Sequence, residues 1–288
     1  MKTIDRKSFL KSFGLAGVTA LATPILIHCR NDEEEDSTTG VVDNTISTAC
    51  AVTNSETEGP FPTKSPSTLV QTNIVGDRTG VPFTIAITVQ NVNANCANLQ
   101  GAIVDIWHCD KGGNYSEYGG TQMQQANYTN YHFLRGRQKT DANGLVSFTS
   151  IFPGWYQSRA THIHVHIYKP NGTSLLVTRI AFPEGTNSAV YNLNVNGTSY
   201  GYTKGMTGYT YNANDNVFSD GTSNEMSTVT GFLTAGYVLT HTIYVAGAIL
   251  GTDDISKNKN FKVDQNYPNP FREETVFPIV LMKHLRWM

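Results

Sequence analysis

Two tyrosines and two histidines carry the chemistry legible in this chain. Tyr115 lies in the Gly-rich run DKGGNYSEY, Tyr156 in IFPGWYQS, and His162 and His164 in THIHVHIY. Residues two apart on a strand point to one face, so both imidazoles can reach one metal ion. Two phenolates and two imidazoles form a hard, electron-rich donor set, suited to ferric iron rather than to a softer metal. A ferric ion held in this way can bind and activate an aromatic diol. A free tyrosine ionises near pH 10, and a bound trivalent cation stabilises the phenolate, so both tyrosines would ligate as anions. Two phenolates and one hydroxide neutralise the ion, and a neutral site can lie partly buried. Gly113 and Gly154 are expected to permit the turns that aim the two phenols inward.

The elements that must position these groups read as strands. Residues 81–92, VPFTIAITVQNV, alternate apolar and polar side chains, the mark of a half-buried strand. Residues 102–107, 161–168, 174–182 and 236–246 are further strand candidates. Asp141-Ala142-Asn143-Gly144 is a turn signal between residues 137–139 and 145–148. No stretch sustains a helical period, and there are no internal repeats. The expected fold class is all-β: a β-sandwich core with long loops over residues 46–250, flanked by a signal segment and a C-terminal tail. Residues 187–227, rich in Asn, Gly, Thr and Tyr, read as long surface loops with one short helical turn near 188–192.

The 288 residues allow one large domain or two small ones, and the net charge of −2 offers no basic patch for nucleic acid. The composition, sparse in Lys and Glu, suits a β-rich extracytoplasmic protein. The start is basic and then apolar over residues 13–27, a signal-peptide pattern covering residues 1–29. Arg6-Lys7-Ser8-Phe9-Leu10-Lys11 resembles a twin-arginine motif with Lys7 in place of the second arginine. Leu26-Ile27-His28-Cys29 resembles a lipoprotein box, which offers Cys29 as a lipid anchor. Residues 30–45 read as an acidic, solvated linker. Of the remaining cysteines, Cys50, Cys96 and Cys109, at most one pair can form. Cys96 and Cys109 flank one strand-like run and are the favoured pair. In the tail, residues 251–288, the run FKVDQNYPNPF (261–271) resembles the opening of a type IX secretion sorting domain, and the strand pattern decays after Arg272.

Several ordered motifs resemble the intradiol ring-cleavage dioxygenases, the family of protocatechuate 3,4-dioxygenase and catechol 1,2-dioxygenase. They are TEGPF (57–61), DIWH (105–108), GNY (113–115), FLRG (133–136), TD (140–141), PGWY (153–156) and RATHIH (159–164). The resemblance implies a ferric ion held by Tyr115, Tyr156, His162 and His164, with Arg159 as the outer arginine that stabilises developing negative charge. It implies a catechol-type diol and O2 as substrates, and a muconate-type product. It also implies that Tyr156 releases the ion as the diol binds and takes up a proton. Where the family usually has Thr-Gln on the next strand, this chain has Thr178-Arg179. Arg179 would bind an acidic substituent, point outward or alter the chemistry.

Two other function classes fit parts of the pattern. His166 extends the alternation, so His162, His164 and His166 could form a three-histidine zinc site. An exported binding module with a structural metal, or none, fits the export signals equally well. His108 reads as structural, Asp110 as loop chemistry, and His132 as facing the pocket. Larger catechol dioxygenases have a helical N-terminal dimerisation region; this chain shows none, and its oligomeric state stays open.

Overall fold

The computed structural model describes residues 50–247, and beyond them the backbone at residues 261–263, 276 and 279–281. The expected signal segment with Cys29, the expected acidic linker and most of the C-terminal tail lie outside the described residues.

Alternation makes the first sheet. In β1 (Pro82–Asn91), Phe83, Ile85, Ile87 and Val89 all face inward. This strand pairs antiparallel with β2 (Ala97–Asn98) and β5 (Leu145–Ile151) on one side. On the other side it runs parallel to β9 (Gly236–Val245), which pairs with β8 (Thr228–Phe232). The second sheet has the order β4-β3-β6-β7 and is antiparallel throughout, with β3 (Ile103–Trp107), β4 (Arg135–Lys139), β6 (His162–Tyr168) and β7 (Ser174–Ala181). Side chains from both sheets share one core, including Ile85, Ile87 and Phe148 with Val104, Ile106, Ile163 and Val165. The fold is an all-β sandwich. Its one α-helix among the described residues, α1 (Ala189–Asn196), is capped by Ser188, whose hydroxyl accepts from the Tyr191 N–H.

Period-two geometry gives the second sheet two different faces. Ile163, Val165 and Ile167 of β6 enter the core, so His162 and His164 project from the opposite face. Cross-strand register then sets one row on that outer face: Arg135, Trp107, His164 and Arg179. The row is nevertheless fully buried, because segments between the strands and a strap before β1 cover it. The strap is tied by Thr53 to Tyr244 of β9 through two hydrogen bonds of 3.0 Å, and by the Glu56 N–H to the Val177 carbonyl of β7 at 2.8 Å.

One expectation, the Cys96–Cys109 pair, needs correction. Cys50 pairs with Cys96, joining the start of the strap to the turn after β1, while Cys109 is a buried free thiol beside Phe61, Trp107 and Tyr115. Cys109 follows β3 into the site wall, so flanking a strand did not bring it to Cys96. The strand β8 was not anticipated: its sequence TVTGF is mostly exposed at a sheet edge and has no apolar alternation. In the tail, β10 (Phe261–Val263) and β11 (Ile279–Leu281) pair antiparallel.

Candidate metal centre

Each tyrosine is aimed by a glycine turn, and the two turns lock together. After β3, Asp110 Oδ1 accepts from the backbone N–H groups of Gly112 and Asn114, both at 2.9 Å. This closes the turn that presents Tyr115. Gly113 has φ +87°, and a Cβ there would lie 2.3 Å from the Trp155 carbonyl oxygen. Gly154 is as tight from the other side, where a Cβ would lie 2.5 Å from the Lys111 carbonyl oxygen. Only two glycines let the Tyr115 and Tyr156 loops meet backbone to backbone. Gln124 adds a two-way clamp on Tyr115, accepting from its N–H at 2.6 Å and donating to its carbonyl at 2.8 Å.

The four side chains converge. Tyr115 Oη lies 3.4 Å from His162 Nε2, which lies 3.1 Å from His164 Nε2. The Tyr156 ring stands edge-on to Tyr115 at 5.6 Å and to His162 at 5.8 Å, with its hydroxyl buried and without a hydrogen-bond partner. His162 Nδ1 is 2.6 Å from the Ala160 carbonyl, which can only accept, so Nδ1 carries the proton and Nε2 presents a lone pair. The His164 ring stacks on Trp107 at 4.8 Å, within 2° of parallel. Phe61 stacks on Tyr115 at 4.8 Å and closes the apolar wall.

This burial opposes every charged form. It raises the Tyr115 phenol well above its ordinary value, with the neighbouring Tyr156 adding to the effect, and pushes Tyr156 up to about 12. It lowers His162 to about 3 and His164 well below its ordinary value, with Arg179 contributing to both. The metal-free protein therefore holds two neutral phenols and two neutral imidazoles. These are the donors that could hold a metal ion.

Residues 58–192 match the family described as dioxygenase. A solved intradiol ring-cleavage dioxygenase from Tetranychus urticae is similar over 70% of this chain and 98% of its own, at 25% identity and TM-score 0.59. Another crystal structure of a dioxygenase gives the same coverage and identity, with TM-score 0.57. Just under half of the chain is thus similar to the dioxygenase family. Its enzyme class is oxidoreductase, and the converging side chains all fall within the matched residues. No curated protein matches the sequence.

Other groups picked out in the sequence sit apart from the convergence. The Arg159 guanidinium donates to Ser158 O at 2.5 Å and Asn216 Oδ1 at 2.9 Å, and lies 3.5 Å from Asp215. It lines a cavity of about 350 Å³ with Glu56, Thr57 and Asp220. His166 shares the histidine face, but its ring nitrogens meet Glu58 at 3.0 Å, Ser174 at 2.8 Å and Tyr168 at 2.8 Å. Among the described residues no three-histidine set is assembled. His132 bonds Glu117 at 2.8 Å and is otherwise exposed, so it does not face the four donors. His108 is structural, held between the Cys109 carbonyl and Ser150.

Sequence reasoning passed over Gln124, Arg135 and an acidic trio. The carboxylates of Glu56, Asp220 and Glu225 lie within 4.8 Å of one another. Burial pushes Glu56 up to about 6 and Glu225 up to about 7. No sequence pattern marks this group, because its members come from the strap and one long loop.

Proposed function

We propose that the protein is a non-haem iron(III) intradiol dioxygenase, cleaving a catechol-type diol between its hydroxylated carbons with O2 to give a muconate-type dicarboxylate. The observation that carries the reading is the meeting of Tyr115, Tyr156, His162 and His164 in the segment matched by the dioxygenase family. Donors at about 2.0–2.2 Å from one ion stand roughly 3.0–3.5 Å from each other, and the Tyr115–His162 and His162–His164 separations of 3.4 and 3.1 Å fit that spacing. The buried, unpartnered Tyr156 hydroxyl fits as well, because such a group needs a partner.

Bound iron would supply Lewis acidity that turns a diol into an electron-rich anion open to O2. The protein's own residues do the rest. Tyr115 is fully buried between Phe61 and His164 and clamped by Gln124, so it is built to stay. Tyr156 is less buried and has no hydrogen bond on its oxygen, so as the phenolate that a bound ion would stabilise it could swing aside and accept a proton from the incoming diol. The Ala160 carbonyl and Trp107 fix the planes of the two imidazoles. Phe61, Trp107 and Tyr115 exclude water and offer a flat apolar wall. Arg159, anchored to Asp215, places positive charge near Tyr156 and His162, where it favours anionic oxygen.

The protein is proposed to act outside the cytoplasm, in the periplasm, at the cell surface or secreted. The Cys50–Cys96 disulfide supports an oxidising compartment. Cys29 as a lipid anchor and the tail as a substrate of type IX secretion are the proposed routes. Optical absorption with metal analysis tests the enzyme reading. Iron-loaded protein is expected to be red and to consume O2 with catechol, and Tyr156→Phe and His162→Ala are expected to shift or abolish the colour. Unchanged absorption in both variants would remove the ligand assignment. Full iron loading without turnover of any diol would remove the activity.

A further inference from the structure

Arg179 is the buried charge that the arrangement above leaves unexplained. It lies opposite His164 in the β6–β7 register, so both project from the same face of the sheet. One point beside the strap, where a Cβ on Gly59 would sit, is 3.0 Å from His164 Cε1 and 3.1 Å from Arg179 Nη2. The guanidinium therefore borders the histidine pair. It is 1% exposed, and its Nε and Nη1 have no hydrogen-bond partner. Nη2 reaches only the Thr57 carbonyl and hydroxyl, both at 3.3 Å. Among the described residues no carboxylate comes within 4.0 Å of it; Glu56 feels its charge from further away.

A guanidinium with free donors, out of water and without a counter-ion, is costly to keep. The two tyrosines of the proposed metal centre feel its charge but make no hydrogen bond to it. Two phenolates and one further anion already balance a trivalent ion, and the two oxygens of a simple diol replace anions already counted. The missing negative charge has to come with the substrate. Resting on the proposed diol-cleaving function, we infer that Arg179 is a specificity-determining residue that receives a carboxylate carried on the aromatic ring, so that the preferred substrates are acid-bearing diols. Arg159 is poorly placed for this role, being already bonded to Ser158, Asn216 and Asp215. Any side chain at position 59 would press on both the imidazole and the guanidinium.

The test is an anaerobic titration of iron-loaded full chain with catechol and with 3,4-dihydroxybenzoate, read as dissociation constants from the visible band. Wild type is expected to bind the acid-bearing diol at least tenfold more tightly. Arg179→Gln is expected to lose that preference while its catechol affinity stays within about twofold, and Arg179→Lys to keep part of the preference. A preference that survives in Arg179→Gln overturns the assignment. So does an equal loss for both diols, which would place Arg179 on the reacting oxygens instead. Benzoate and iron-free protein separate this inference from the reading it rests on. If benzoate raises the melting temperature of wild type but not of a folded Arg179→Gln variant, Arg179 is a carboxylate receptor even should the iron protein bind no diol. If benzoate leaves both unmoved and neither diol perturbs the spectrum, the receptor and the diol reading fall together.

Discussion

Two buried arginines stand on either side of Trp107 and His164 in one cross-strand row, and they are treated in opposite ways. Arg135 is satisfied. Its Nε meets Ser116 Oγ at 2.8 Å, Nη1 meets Phe61 O and Thr63 Oγ1 at 3.0 Å each, and Nη2 meets Ser116 O at 2.6 Å, with Glu117 at 3.7 Å as counter-ion. Arg179 has two free nitrogens and no counter-ion within reach. Equal burial with unequal bonding separates structure from function: Arg135 organises the Tyr115 loop, whereas Arg179 keeps capacity in reserve.

The largest expected effect breaks that comparison in stability. Arg135→Met strands the Phe61 and Ser116 carbonyls and takes the buried cation away from Glu117, which keeps only the Lys64 N–H and His132, and is expected to cost about 3–5 kcal/mol in urea unfolding, as when one partner of a buried pair is removed. Arg179→Met removes an uncompensated charge and is expected to leave the metal-free protein equally stable or stabilise it by about 1 kcal/mol. Equal losses in the two variants would refute the contrast.

Acid is the next lever, because it adds charge to the same buried region. Burial holds His108 at about 4 and His162 at about 3 in the fold. Their unfolded forms take up protons near pH 6.5. Both are thus stabilising above that pH, and the contribution is lost as pH falls toward the folded values. The metal-free protein is expected to lose up to about 3 kcal/mol from His108 alone across this window. Glu225, held up at about 7, works with the opposite sign, favouring the fold below its unfolded value and losing that benefit as pH rises through 7. Denaturant midpoints between pH 7 and 4 measure the balance, and Glu225→Gln is expected to steepen the acid loss. A flat profile in both proteins would contradict the buried, neutral histidines.

Smaller effects sharpen the picture at the loops. Gly113→Ala combines a positive φ with a clash against Trp155 O, and is expected to cost about 1–3 kcal/mol and to weaken the iron colour by displacing Tyr115. Full colour and wild-type stability would show that the loops do not need their close approach. His166→Ala is expected to cost under about 1 kcal/mol and to leave the absorption unchanged, because its partners are Glu58, Ser174 and Tyr168. A shifted spectrum would return His166 to the metal centre.

The sandwich was legible where one face of a strand is wet and the other dry. Alternation marks β1 and the His-x-His strand directly, and it fails at β8, whose Thr and Gly residues line an exposed edge. Tyr115 and Tyr156 were picked out by their glycine-bearing neighbours rather than by periodicity, and the structure brings them together with His162 and His164. What could not be read were relations fixed only by register and loop closure. The opposition of Arg179 to His164 depends on strand alignment, the Gln124 clamp on a loop returning to itself, and the Cys50–Cys96 pair on where the strap begins.

The Cys50–Cys96 cystine moors the strap that carries Thr57, Gly59 and Phe61 across the histidines and Tyr115. Without the cystine the start of the strap is held by its hydrogen bonds to β9 and β7, and its later part by Arg135, Arg179 and Tyr118. Oxidation bolts it down. Pairing of the thiols would thus stiffen the cover over the four donors as well as the sandwich beneath it.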